Sequence, residues 1–190
     1  FHMWAPDTYE GAPTPVTAFL AVASKAAGFV ALIQVIGQAL VLRMNVMIPV
    51  VAVLAALSMT IGNLIALRQT NVIRMLAYSG IAQAGFMLAP FVASQYGGID
   101  AIVIYLVLYA ATNLGAFAVV MAIARRTRSA EISSFGGLFA YSPGLAVALS
   151  VFLASFVGIP PLGIWYGKLS VMRALIESQG RWATVLAIFV

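Results

Sequence analysis

From Met47 to Leu67 the chain runs 21 residues without a charged side chain. Coiled into an α-helix at about 1.5 Å per residue, such a run rises about 30 Å, the thickness of a bilayer's hydrocarbon core. Comparable apolar runs recur along the sequence and leave little room for anything else. The chain is 63% hydrophobic, and its charged fraction of 8% is far below the roughly 25% usual in soluble domains. Mean hydropathy is +1.05. This is the pattern of an all-α, polytopic transmembrane helix bundle.

The spans read as 15–42, 47–67, 72–92, 99–124, a discontinuous 143–176 and a shortened 181–190, all within one transmembrane domain covering 1–190. Thr14 is the expected N-cap of the first span, with Pro15 at its first helical position, where a missing N–H costs little. "WAPDTYEGAP" reads as a loop before it. Phe1 is not an initiator methionine, and "RWATVLAIFV" holds about half the residues a span needs, so a piece of a longer polytopic protein is expected.

Charge placement sets an orientation. Loops alternate sides, and one side collects Arg68, Arg74, Arg125, Arg126 and Arg128. The other collects Arg43 and Arg181, with Arg173 nearby. The richer side is expected to face the cytoplasm, or its matrix or stroma equivalent. The net charge of +5 is scattered near span ends, which fits membrane topology and not nucleic-acid binding. The chain has no cysteine, so disulfides and thiolate metal sites are excluded, and the single histidine, His2, cannot build a metal site alone.

The basic residues then divide by depth. All eight arginines lie at or near span ends, whereas the only two lysines, Lys25 and Lys168, lie inside spans. A charged lysine at the bilayer centre costs at least about 2.5–3.5 kcal/mol on insertion scales. Desolvation favours the neutral form of an amine, and lysine, unlike arginine, is able to give up its proton. Snorkelling of both amines to an interface is the structural alternative. The acids Asp7, Glu10, Asp100, Glu131 and Glu177 all sit in loops or at span ends, so no carboxylate within a span is available to either lysine.

Two further features belong with the lysines. Tyr105, Tyr109, Thr112 and Asn113 follow the spacing of one helix face, and Ser79 and Gln83 are four apart in the preceding span. Such stripes serve either as interhelical hydrogen bonds, each worth about 0.6 kcal/mol, or as the lining of a water file. In "GIPPLG" (Gly158 to Gly163), Pro160 and Pro161 remove two N–H donors and free carbonyls of the preceding turn. Irregular backbone at membrane depth survives only against protein or a water-filled cavity, and broken helices recur in secondary transporters. A packing kink is the simpler reading. Together, buried amines, a broken helix and a polar lining point to proton or cation translocation.

Four stretches carry a family resemblance: "FHMWAPDTYEGAPTPVTAFLAVASK", "GNLIALRQTNVIRMLAYSGIAQAGFM", "YLVLYAATNLGAFAVV" and "GIPPLGIWYGKL". In order and over nearly the whole chain, they resemble the antiporter-like family. That family comprises membrane subunits of the proton-pumping NADH:quinone oxidoreductase (respiratory complex I), Mrp-type cation/proton antiporter subunits and related hydrogenase membrane arms. "APDTYEGAPTPVTAF" and "ATNLGAF" resemble its N-type subunits, or their counterparts in the photosynthetic complex, more than the sister L- and M-type subunits.

The resemblance implies the second half of an inverted-repeat fold, with a helix broken at Gly158, Pro160, Pro161 and Gly163 followed by the start of one more. It implies that Lys25 and Lys168 are relay lysines of a central hydrophilic axis, with Gln83, Tyr105, Tyr109 and Asn113 as path-lining candidates. Gln83 stands where many members carry histidine; it orients water without titrating. Phe86 and Ile73 replace a frequent tyrosine and a frequent lysine. The implied activity is proton translocation coupled to electron transfer from NADH to quinone. NADH, FMN, iron–sulfur clusters and quinone are all expected in partner subunits, with no cofactor or metal in this chain. The expected partners are other membrane-arm subunits, lipid, protons and internal water, in a bacterial inner membrane or its organellar equivalent. An Mrp-type antiporter subunit driven by an ion gradient is the alternative.

Overall fold

The computed structural model describes residues 4–190; His2 lies outside the described residues. The elements are α1 (Ala5–Gly11), α2 (Thr14–Gln34), α3 (Met44–Ala66), α4 (Val72–Leu88), α5 (Ile99–Thr127), α6 (Leu138–Tyr141), α7 (Pro143–Val157), α8 (Gly163–Ser178) and α9 (Arg181–Phe189). Among the described residues, four stretches are long and apolar enough to cross a membrane: Thr14–Ala39, Met44–Ala66, Val72–Ala93 and Ile99–Thr127. α7 is apolar but shorter, and the break over 158–162 separates it from α8.

α4 lies at the centre and is the most buried of the four. Its tightest neighbour is α3, and glycine makes that approach feasible. A Cβ on Gly62 would lie 2.7 Å from the Ala82 nitrogen, and one on Gly85 would lie 2.8 Å from the Ala55 oxygen. With Ala52, Ala55 and Met59 buried between them, the two backbones pack as small-residue membrane interfaces do, by close van der Waals contact. α5 packs on α2, α7 and α8.

Two local readings change. Thr14 is the first residue of α2 and not its cap; the Pro13 carbonyl accepts from the Val16 and Thr17 N–H groups and starts the helix. Pro15 is accordingly the second helical residue. "WAPDTYEGAP" is largely helix α1, held to α2 by Thr17 Oγ1 donating to the Tyr9 carbonyl at 3.0 Å. Arg74 also holds α1, through ion pairs with Asp7 (3.0 Å) and Glu10 (2.7 Å).

The basic end of the bundle is stitched by backbone. Val72 N donates to the Ala130 carbonyl at 2.9 Å and Ile132 N to the Thr70 carbonyl at 2.8 Å, forming an isolated bridge between Asn71 and Glu131. Asn71 caps α4, its Oδ1 accepting from Ile73 N and Arg74 N. α5 runs on to Thr127, so Arg125 and Arg126 lie in its last turn, where cations complement the helix dipole.

Candidate functional site

Lys25 is the twelfth residue of α2, near the middle of the first span. Its side chain is half-buried, and its amine turns into the bundle. Nζ donates to the Tyr109 hydroxyl at 2.7 Å and to the Gly80 carbonyl at 2.9 Å. It also lies 4.7 Å from the centroid of the Tyr109 ring, within range of a cation–π attraction. Gly80 makes the seat: a Cβ there would stand 2.5 Å from Nζ and 3.1 Å from the Tyr109 hydroxyl. The lysine stem borders a groove of about 510 Å³ whose lining includes Gly28, Ile36, Val51 and Ile81.

The second cluster surrounds the helix break. α7 ends at Val157 and Gly158 follows at φ 91°, a left-handed conformation natural to glycine. In a continuous helix, residues 160 and 161 would donate to the carbonyls four residues back, at Phe156 and Val157. Both are proline and have no N–H to give. Gln83 Nε2 donates to the Phe156 carbonyl at 3.2 Å, and Lys168 Nζ donates to the Val157 carbonyl at 3.0 Å. Side chains of α4 and α8 therefore replace the two lost backbone donors one for one. Ser155 Oγ accepts from the Ile164 N–H at 3.4 Å, and it lies 3.3 Å from Thr112 Oγ1, so α5 also ties the joint.

Lys168 packs between the break and α4. Its Nζ lies 4.4 Å over the Phe86 ring, and a Cβ on Gly158 would meet its Cδ at 3.1 Å. Gly163 opens α8 beside Leu108. Between the lysines, the buried Tyr105 hydroxyl donates to Gln83 Oε1. The Tyr105 ring stacks on Phe86 with centroids 6.5 Å apart, and the Tyr109 ring leans on Phe156 at 6.1 Å.

The hydrogen bonds of the two lysines and Gln83 thus fall into two groups. One is Lys25–Tyr109–Gly80. The other is Tyr105–Gln83–Phe156, continued through the next peptide to Val157 and Lys168. The Tyr109 and Phe156 rings touch where the groups meet. Asn113 is 1% exposed, and its Nδ2 has no partner among the described residues. The carboxylates that form ion pairs do so elsewhere: Asp7 and Glu10 with Arg74, and Glu177 with Arg173. Among the described residues, none pairs with a lysine.

Sequence reasoning missed Gly80, the Phe86 platform and the two carbonyl acceptors. The acceptors were within reach of it, because counting four back from each proline names Phe156 and Val157.

The model for the family described as NADH:quinone oxidoreductase/Mrp antiporter, TM, matches residues 1–190. NADH-quinone oxidoreductase subunit N of Heliobacterium modesticaldum is 46% identical over 187 residues, covering 98% of this chain and 40% of that protein. The chloroplastic NAD(P)H-quinone oxidoreductase subunit 2 of Mesostigma viride is 44% identical over 196 residues, covering 100% of this chain and 39% of its own length. Among solved structures, a chain of respiratory complex I from Thermus thermophilus with bound aureothin superposes with a TM-score of 0.77 at 34% identity, covering 99% of this chain and 41% of that one. A chain of an archaeal membrane-bound sulfane sulfur reductase, a respiratory membrane complex, gives 0.86 at 25% identity, covering 98% and 38%. The chain spans about 40% of the length of the curated relatives it matches.

Proposed function

The chain belongs to the NADH:quinone oxidoreductase/Mrp antiporter transmembrane family, and from that premise we propose that it is part of a proton-translocating membrane-arm subunit of an NADH:quinone oxidoreductase. The observation that carries the reading is the seat of Lys25. A mid-span amine turns inward onto a neutral hydroxyl and a neutral carbonyl. Those dipoles solvate an ammonium without neutralising it. With no carboxylate paired to it among the described residues, its proton occupancy responds to charge that changes elsewhere, and in a low-dielectric interior such fields reach far.

In this reading a coupled event shifts charge or hydration near Lys25. Its proton leaves through internal water and is passed toward Lys168. Tyr105, Tyr109, Asn113 and Gln83 border the route. Electron transfer takes place in partner subunits, which hold NADH, FMN, iron–sulfur clusters and quinone. The arginine-rich end faces the cytoplasm of a bacterial inner membrane, or the organellar equivalent.

Lys25→Ala in the full-length protein, assembled into its complex, tests the reading. Protons moved per electron are expected to fall sharply, and an unchanged ratio sinks it. The family's Mrp branch supports a second reading, an antiporter subunit driven by an ion gradient. Purification separates the two: hydrophilic redox subunits accompany the first, Mrp subunits alone the second.

A further inference from the structure

We propose, resting on the proton-translocation reading, that Gln83 is a positioning residue for both lysines and acts through the end of α7, Phe156–Val157. Its amide is used at both ends. Oε1 accepts from the Tyr105 hydroxyl and Nε2 donates to the Phe156 carbonyl at 3.2 Å. That pattern fixes the amide's orientation, since only the nitrogen donates and only the oxygen accepts.

What it holds reaches in two directions. The Phe156 ring backs Tyr109, whose hydroxyl receives Lys25. The adjoining Val157 carbonyl receives Lys168. On α4 itself, Gln83 stands between Gly80, the other acceptor of Lys25, and Phe86, the ring beneath Lys168. These three residues follow a spacing of three, so they share one flank of the helix. Beside the Ser155 contacts with α5 and α8, this amide ties Phe156–Val157 to α4, and so bears directly on the acceptor of Lys168 and, through the Phe156 ring, on the tyrosine that receives Lys25.

The carbonyl it holds is one that needs holding. Pro160 cannot supply the helical N–H, and a buried carbonyl left without a donor is unfavourable. Without Gln83, the Phe156 carbonyl is free to turn toward another donor, and the Lys168 acceptor on the next residue turns with it.

Three substitutions in the full-length protein within its assembled complex separate this role from its rivals, with pumping scored per electron transferred. Gln83→Met keeps volume without a donor. Gln83→Ser keeps polarity but is too short to reach the carbonyl. In Gln83→His a neutral imidazole offers one donor and one acceptor, as the amide does. The expected result is a several-fold loss of pumping in Met and Ser, with most of it restored in His. Wild-type pumping in Ser would mean that Gln83 only orients water, and wild-type pumping in Met would mean that it only fills space; either overturns the proposal. Should the Gln83 variants fail to assemble, Tyr105→Phe removes the bond that orients the amide; a pumping loss there is expected, and its absence overturns the proposal. Lys25→Ala and Lys168→Met in parallel report on the underlying reading: if both pump fully, that reading fails, whereas if they fail to pump while Gln83→Met pumps fully, only this inference does.

Discussion

Lys168 Nζ donates at 3.0 Å to the Val157 carbonyl, the group that Pro161 leaves without its helical donor. The lysine is thus a side-chain cap on a broken helix as well as a titratable amine. These two roles respond differently to substitution, which makes them separable.

Lys168→Arg preserves a cationic donor that does not release its proton. Its expected phenotype is an assembled, thermally stable complex with proton pumping lost. Lys168→Met loses both roles. It should pump no better and also be less stable, by about 1–3 kcal/mol for the orphaned carbonyl. Thermal unfolding of the solubilised complex, set beside proton uptake in vesicles, distinguishes the pair. Equal stability of the two variants would rule out the capping role.

Gly80→Ala changes no titratable group, yet its methyl would fall 2.5 Å from Lys25 Nζ. The amine has to shift from its present position on Tyr109 and the Gly80 carbonyl. The variant is expected to resemble Lys25→Ala in protons moved per electron. Normal pumping would show that this seat is dispensable.

Tyr109→Phe removes one acceptor but keeps the ring that faces Lys25 and leans on Phe156. Hydrogen bonds to charged groups contribute about 1.5–3 kcal/mol, and the Gly80 carbonyl remains. A partial loss of pumping is expected, smaller than that of Lys25→Ala. A loss as complete as the lysine variant's would assign the tyrosine hydroxyl a direct part in the transfer.

Gly62→Val and Gly85→Val test the scaffold and not the relay. Each places a branched side chain where even a Cβ would lie within 2.8 Å of the facing helix. Overpacking of this kind typically costs about 1–3 kcal/mol. Less assembled subunit on native gels is expected, with normal pumping per electron in what does assemble.

Much of this was legible in the sequence because its signals are coarse and strong. Long uncharged runs declare spans, and two lysines among end-placed arginines declare themselves by cost. The stripe from Tyr105 to Asn113 announces an inward face through its spacing alone. What stayed hidden depends on which helix lies against which. Nothing around Gly80 marks it as the seat of an amine 55 positions earlier in the chain. The Phe86 ring gains its role only because α8 crosses it. The Thr14 cap failed for a different reason: in "APTP" the carbonyl of Pro13 was an equally good starting group, and local propensity does not choose between adjacent residues. The short α1 was missed because the anchor that holds it, Arg74, is far along the chain.

The glycine contacts between α3 and α4 have a consequence for the chemistry. They lie on a different flank of α4 from Gly80, Gln83 and Phe86, and they fix that helix where its backbone meets its neighbour's. Among the dipoles facing the lysines, the Gly80 carbonyl on α4 is therefore set when the bundle forms. On the proposed reading it would need little reorganisation as a proton arrives or departs, the preorganisation that lets a protein interior solvate a transient charge better than mobile water does.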